Sequence, residues 1–364
     1  MSTHFDVAIV GAGMAGASLA AELAPHCSVL LLEAEDRPGY HATGRSAAFW
    51  AETYGGPLVQ PLTTASGPWL DEHGFLGPRG AINLARAEDG ALLEAFVEQY
   101  AQAGVRLERM GREQIEAMVP GLSPQWREGA WEPDCRDIDV AGVHAHYLAA
   151  ARRAGAELRC KARVAEARHE GRWQVLTEAG ETLTCDTLVD AAGAWADPVA
   201  ERSGMRPLGI QPLRRTVAQL RTQPAPPDDL PLVVDLSGTF YFKPENGRVW
   251  VSPHDETPSA PCDAAPEEID VAIAIDRFEQ TVDWKVEAVE HRWAGLRSFA
   301  PDRLPVIGRD PANPAFFWFA GQGGAGIQTA PAAARMAAQA LLGHASDEMT
   351  AALDPALYRP DRFY

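Results

Sequence analysis

The amino terminus constrains this chain more than any other stretch. Residues 5–33 read FDVAIVGAGMAGASLAAELAPHCSVLLLE. The apolar run Val7 to Val10 predicts a buried parallel strand, and Gly11, Gly13 and Gly16 follow it in G-x-G-x-x-G order. The spacing then predicts a helix over Met14 to Leu23 and a second apolar strand over Val29 to Leu32, ending in Glu33. Strand, glycine turn, helix, strand and terminal acid together are the arrangement that grips a dinucleotide. Gly11 makes the tight turn, Gly13 lets the backbone approach a pyrophosphate, and Gly16 lets helix and strand pack closely. The free N–H groups at the helix start face the phosphates. Glu33 lies about twenty residues past Gly11, where an acid takes the ribose hydroxyls of an adenosine.

A chain of 364 residues is too long for one simple core, so one large or two smaller domains are expected. A net charge of −18 argues against a nucleic-acid surface. The cysteines, Cys27, Cys135, Cys160, Cys185 and Cys262, are odd in number and scattered without zinc-site spacing. They point to a reduced, cytoplasmic protein, and no metal site is expected. The first apolar run is the nucleotide strand and has no basic segment before it, so no signal peptide is expected. No apolar stretch is long enough to span a bilayer.

Three later segments extend the nucleotide reading. GYHATGRSAA, residues 39–48, is a polar, backbone-accessible loop, and Ser46 to Glu52 is expected to begin a helix. TLVDAAGAW, residues 187–195, is a strand running into a small-residue turn. GQGGAGIQ, residues 321–328, is a second glycine-rich strand-to-helix turn whose helix start would place positive potential near a bound group. With the first motif, these runs resemble the D-amino-acid oxidase superfamily of flavoproteins, most of all its D-arginine dehydrogenase branch. The resemblance runs along nearly the whole chain.

That resemblance implies an α/β fold. A Rossmann-type FAD-binding domain (residues 1–79, 139–205 and 289–364) would interleave with an α+β substrate domain (residues 80–138 and 206–288) on a mostly antiparallel sheet. Apolar spacing adds helices at 61–72, 88–103, 112–118, 139–154 (with Asp139 as N-cap) and 267–281. Short strands are expected at 80–85, 157–160, 162–167, 173–177, 182–185, 187–190, 210–220, 240–243 and 248–252. His144 and His146 stand two apart on a helix and do not share a face, so they read as ordinary histidines.

By resemblance, Gly11, Gly13, Gly16, Glu33, Thr43, Arg45, Ser46, Ala47, Val164, Ala192, Gly193, Trp195, Gly323, Gly324 and Gln328 would hold FAD. No cysteine falls in a segment assigned to the flavin, so the FAD is expected to be non-covalent. Arg297 in W-A-G-L-R-S-F and Arg215 in Q-P-L-R-R-T would hold a substrate carboxylate, the geometry a guanidinium fork suits. Tyr54 and Tyr241 would lie over the flavin beside the substrate. The branch carries an acidic residue where this chain has Ala81 and a histidine where it has Phe49. Both changes remove polarity, so an apolar substrate side chain is expected.

The implied reaction is oxidation of the Cα–N bond of an amino acid, here a D-amino acid with an apolar side chain. Hydride transfer to flavin N5 would give an imine, and hydrolysis a 2-oxo acid and ammonia. The alternatives are secondary amines of the sarcosine or glycine type, 2-hydroxy acids, a nicotinamide dehydrogenase using the first motif alone, and a non-enzymatic flavoprotein subunit. No motif selects among oxygen, a quinone and a protein as electron acceptor.

Overall fold

The structure is a computed structural model and describes residues 4–364. The chain opens with β1 (His4–Val10), α1 (Met14–Leu23) and β2 (Val29–Leu32). β1 and β2 pair in parallel, with Ile9 opposite Leu31. Glu157–Arg159 extends the parallel run beyond β2, and Thr182–Asp190 lies along the other edge of β1. The last residues of that strand pair in parallel with Phe316–Ala320. Val164–His169, Trp173–Thr177 and Val306–Arg309 add antiparallel strands, giving an eight-stranded sheet.

Alternation along β1 shows why this sheet is covered on both sides. Val7 and Ile9 join a core with Leu19, Phe317 and Met336, while Ala8 and Val10 join another with Trp173, Leu188 and Trp318. Side chains alternate faces along a strand, so an all-apolar run is what a doubly covered parallel strand requires. Gly11 turns the chain out of β1 at φ +102°, a conformation L side chains rarely adopt. A Cβ on Gly16 would land on the Gly11 carbonyl oxygen, so α1 can approach β1 only because that position is glycine.

The second sheet has ten strands. Its spine is the antiparallel pair Gln211–Gln223 and Lys285–Phe299. Arg248–Ser252, Tyr241–Glu245 and Leu232–Asp235 follow in antiparallel order, and only Leu232–Asp235 against Ala81–Arg86 is parallel. Helix Glu268–Thr281 contributes Val271, Ala274 and Phe278 to the core beneath, with Phe240, Phe242, Val249 and Trp284.

Most expected elements form within one or two residues of the sequence reading. α1, β2 and helix Arg112–Met118 coincide with it. Asp139 caps helix Val140–Arg153, its Oδ1 accepting from Gly142 N at 2.9 Å. Three expectations change. Ser46 to Glu52 is not helical. Ser46 is extended, and Phe49–Trp50 pairs with Arg136–Ile138. Phe49 and Ala51 face one apolar cluster while Ala48 and Trp50 face another, a period of two. The runs 182–185 and 187–190 are one continuous strand, interrupted only by the exposed Asp186. Lys285–Phe299 lies wholly in the second sheet, so sheet membership changes after Phe299 rather than at residue 289. Among the described residues, no helix is long and apolar enough to cross a membrane.

The α1–β1 contact makes a direct prediction. Gly16→Ala must push helix from strand at a backbone-to-backbone contact, at a cost of about 3 kcal/mol or more. Thermal unfolding should show a drop of several degrees; an unchanged midpoint would contradict the contact.

Candidate active site

One elongated cavity of about 1880 Å³, counting the space open at its mouth, runs between the two sheets. Every residue assigned to the site from sequence lines it except Gly16, which acts through packing beneath the turn. Gly11, Gly13, Glu33, Val164, Ala192, Gly193 and Trp195 line one part; Tyr54, Arg215, Tyr241, Arg297, Gly323 and Gly324 line another.

The nucleotide part is tied together by backbone-directed bonds. Glu33 is buried and accepts from Ala12 N at 3.1 Å and Glu35 N at 3.0 Å, joining the glycine turn to the end of β2. Thr43 Oγ1 accepts from Met14 N at 2.9 Å, so one N–H at the helix start is already used. Gly13, the residue before α1, has no side chain to fill the space at the helix start. His144 reaches back from its helix to the Ala12 carbonyl at 2.9 Å, and His146 packs among Trp69, His73 and Phe75. Asp190 accepts from Ala192 N at 3.0 Å and steadies the A-A-G-A-W turn; burial pushes its carboxyl well up. Arg202 donates to the Val164 carbonyl at 2.9 Å, leaving that oxygen engaged at the cavity wall.

Arg45 ties the loop 39–48 to the second sheet and to the segment 263–264. Its guanidinium donates to the Ala264 carbonyl at 2.8 Å and the Ala294 carbonyl at 3.2 Å, and pairs with Asp263. Trp293 Nε1 donates to the Arg45 carbonyl at 2.8 Å. The adjoining segment brings Cys262 to the cavity wall. Nothing in the chain around it signals this, because residues 259–264 form no regular element and carry no motif.

At the other part, register explains the arginines. Leu213 pairs with Arg297 and Arg215 with Gly295, so the two arginines are diagonal neighbours on one face of the second sheet. Arg214 points the other way and pairs with Glu267 and Asp270. Arg215 is buried, donates Nε to the Asp255 carbonyl at 2.9 Å, and leaves Nη1 and Nη2 without a hydrogen-bond partner. Burial lowers its pKa, opposed by Tyr241, Asp255 and Glu256. Burial, then the Arg303 cation, pushes Arg297 down to about 9, so it remains charged at neutral pH. Tyr54 lays its ring 5.5 Å from the Arg297 guanidinium, within cation–π reach. A Cβ on Gly324 would overlap both the Tyr54 hydroxyl and Arg297, so the glycine turn closes directly over this pair. Phe49 packs edge-on against Tyr54 at 5.1 Å and Tyr241 at 6.1 Å and makes an apolar wall. Ala81 lies in the same apolar cluster, behind the lining.

The Tyr54 segment is clamped from two sides, and the sequence reading missed both clamps. The Gln328 side chain accepts from Ala51 N at 3.2 Å and donates to the Tyr54 carbonyl at 3.1 Å and Thr63 Oγ1 at 2.9 Å. Its amide hydrogens are spent on the protein, so its side chain holds the Tyr54 segment in place. From the second sheet, buried Glu132 accepts from Glu52 N at 2.7 Å and Thr53 Oγ1 at 2.6 Å. Tyr100 donates to the Thr53 carbonyl at 2.8 Å. Burial raises Glu132 to about 7, against the lowering effect of these bonds. The turn 321–328 also differs from expectation: the regular helix starts only at Ala330, and Gly324 to Gln328 form the wall themselves.

These residues fit an adenine dinucleotide with a flavin. The cavity joins the glycine turn and the acid at the end of β2 to buried Arg215, whose Nη donors are open, and to half-buried Arg297 beside it. The DAO family model, described as FAD dependent oxidoreductase, matches residues 6–340. The glycine oxidase of Pseudomonas aeruginosa is 27% identical, over 97% of this chain and 98% of that protein. The bifunctional protein ThiO/ThiG of Synechocystis is 25% identical over 86% of this chain, which spans 48% of its length. The crystal structure of glycine oxidase from Geobacillus kaustophilus superposes with a TM-score of 0.85 at 24% identity, covering 98% of each chain. The chain therefore belongs to the DAO family and is an FAD-dependent oxidoreductase.

Proposed function

We propose that this enzyme oxidises the Cα–N bond of an α-amino acid with a small or apolar side chain, a D-amino acid in the first instance. The observation that carries the reading is the pair Arg215 and Arg297. Both open on the cavity, and both Arg215 Nη atoms lack a hydrogen-bond partner. Unmet buried donors are costly unless a ligand satisfies them, and a carboxylate offers matched acceptors. Tyr54 and Tyr241 bring hydroxyls to the same seat, and Phe49 offers the side chain an apolar surface. The bound flavin supplies the two-electron oxidation. The imine product is then hydrolysed to a 2-oxo acid and ammonia. A second reading, glycine or another small amine, is favoured by the similarity to glycine oxidases over almost the whole chain. The five cysteines are all unpaired, which supports a reducing compartment.

In this reading the chain's residues bind and orient, and among the described residues none is placed to act as an obvious base. Burial, then the Arg215 cation, depresses His254 to about 4, so it is neutral at assay pH. The substrate amine must itself be neutral to release its electron pair. Glu132 is the group near the site poised to titrate near neutrality. Once ionised it accepts fully from Glu52 and Thr53, so Tyr54 is held best above about pH 7.

Three outcomes are expected. Arg297→Met should lower kcat/KM by roughly 100-fold or more, mostly through KM, as loss of a buried charge pair with a ligand costs about 2–5 kcal/mol. Arg297→Lys should recover only part of this. A panel of D- and L-amino acids, glycine and sarcosine, mixed anaerobically while flavin absorbance is followed, should bleach fastest with D-leucine, D-methionine or D-phenylalanine. Faster reduction by D-arginine or D-lysine would sink the apolar-pocket reading, and glycine or sarcosine leading would establish the second one. The rate of flavin reduction should rise with pH as the substrate amine deprotonates, with a further inflection near pH 7 that Glu132→Gln abolishes. A flat profile would count against both assignments.

A further inference from the structure

Two guanidinium groups at diagonal positions on one sheet face repel each other. The segment that follows Arg248–Ser252 answers this repulsion from behind. Asp255 is fixed by Thr216, accepting from N at 2.7 Å and Oγ1 at 2.9 Å, with its Oδ1 3.8 Å from Arg215 Nε. Glu256 Oε1 stands 3.5 Å from Arg215 Nη2 and 3.9 Å from Arg297 Nη1. Both Glu256 oxygens accept from Arg303 Nη2, at 2.8 and 3.0 Å. One carboxylate thus faces three arginines. It is not part of the cavity wall, whereas Arg215 and Arg297 are. Its distances from those two are ion-pair distances, so it lends them charge without consuming the donors they turn to the cavity.

The charge count follows from these contacts. Arg215, Arg297 and Arg303 face Asp255 and Glu256, leaving one net positive charge. His254 and Tyr241, the other titratable groups against Arg215, add none at neutral pH. We propose that Glu256 is a specificity-determining residue: by holding the arginine cluster at a single net charge, it makes the site prefer ligands with one carboxylate over dicarboxylates. The proposal rests on the reading that Arg215 and Arg297 seat a carboxylate.

The test is a titration of the holoenzyme with propionate and with succinate at low ionic strength, followed by the flavin absorbance. The unmodified enzyme should bind propionate more tightly than succinate. In Glu256→Gln both should tighten, and the ratio should move toward succinate by about tenfold, the effect of one charge at a partly exposed position. Added salt should shrink the difference. Glu256→Asp, which keeps the charge, should retain the original preference. Arg303→Gln should weaken both ligands, succinate the more, and serves if Glu256→Gln does not fold. No propionate binding to the unmodified enzyme would overturn the carboxylate seat itself. Propionate binding with an unchanged ratio in Glu256→Gln and Arg303→Gln would overturn only the role given to Glu256.

Discussion

The contact between Gly16 and the Gly11 carbonyl is the constraint on which the rest of the molecule depends. It sets how close α1 lies to β1, and so where the helix start stands relative to the strand ends. Gly11 N in turn donates to the Leu32 carbonyl at 2.8 Å, and Glu33 binds Ala12 N, so β2 is locked to the same turn. The groove for a dinucleotide is then the gap left where strands end and the helix begins. Thr43 and His144 close it from other parts of the chain, each bonded to the same turn. A shift of the helix would therefore move the glycine turn, the end of β2 and the Thr43 loop, three segments of the cavity wall, together.

The substrate end is built on a different principle. The first sheet offers backbone N–H groups and small residues, which suit a ligand held by its phosphates. The second sheet offers long cationic side chains from adjacent antiparallel strands, placed by register alone. Gly295 opposite Arg215 leaves room beside the guanidinium, and Arg45 Cβ stands 3.5 Å from where its side chain would begin. Burying the Arg215 cation beside a second, half-buried one is expensive. Asp255, Glu256 and the Tyr54 ring each offset part of that cost.

The sequence was legible where one local cause decided the outcome. The glycine spacing, the length of α1 and the cap at Asp139 all follow from a few adjacent residues, whereas the choice of Arg215 over Arg214 rests on the family resemblance. Ser46 to Glu52 was not legible, because an apolar run that is buried on both faces hides its period. The continuation of Lys285–Phe299 was obscured by its exposed amino-terminal half, where Glu287, Glu290 and His291 break the apolar pattern. Glu132, Gln328 and Cys262 belong to a third class. Each acts on a segment far away in sequence, and nothing beside it in the chain reports the partner.

That third class shows how the two sheets come to share one site. Gln328 follows the last parallel strand of the first sheet, and Glu132 ends the strand Trp126–Glu132 of the second. Both grip residues 51–54, one through Ala51 and Tyr54, the other through Glu52 and Thr53. Tyr54 is therefore held where the two halves meet, with its ring against Arg297 and its hydroxyl beneath Gly324. Its geometry is fixed only when both halves are in place. The same segment carries Phe49 two residues upstream of Ala51, so the apolar wall and the aromatic lid over the arginines move as one piece. Residues 51–54 are thereby fixed to both sheets at once, so a displacement of either sheet is felt at the Tyr54 ring.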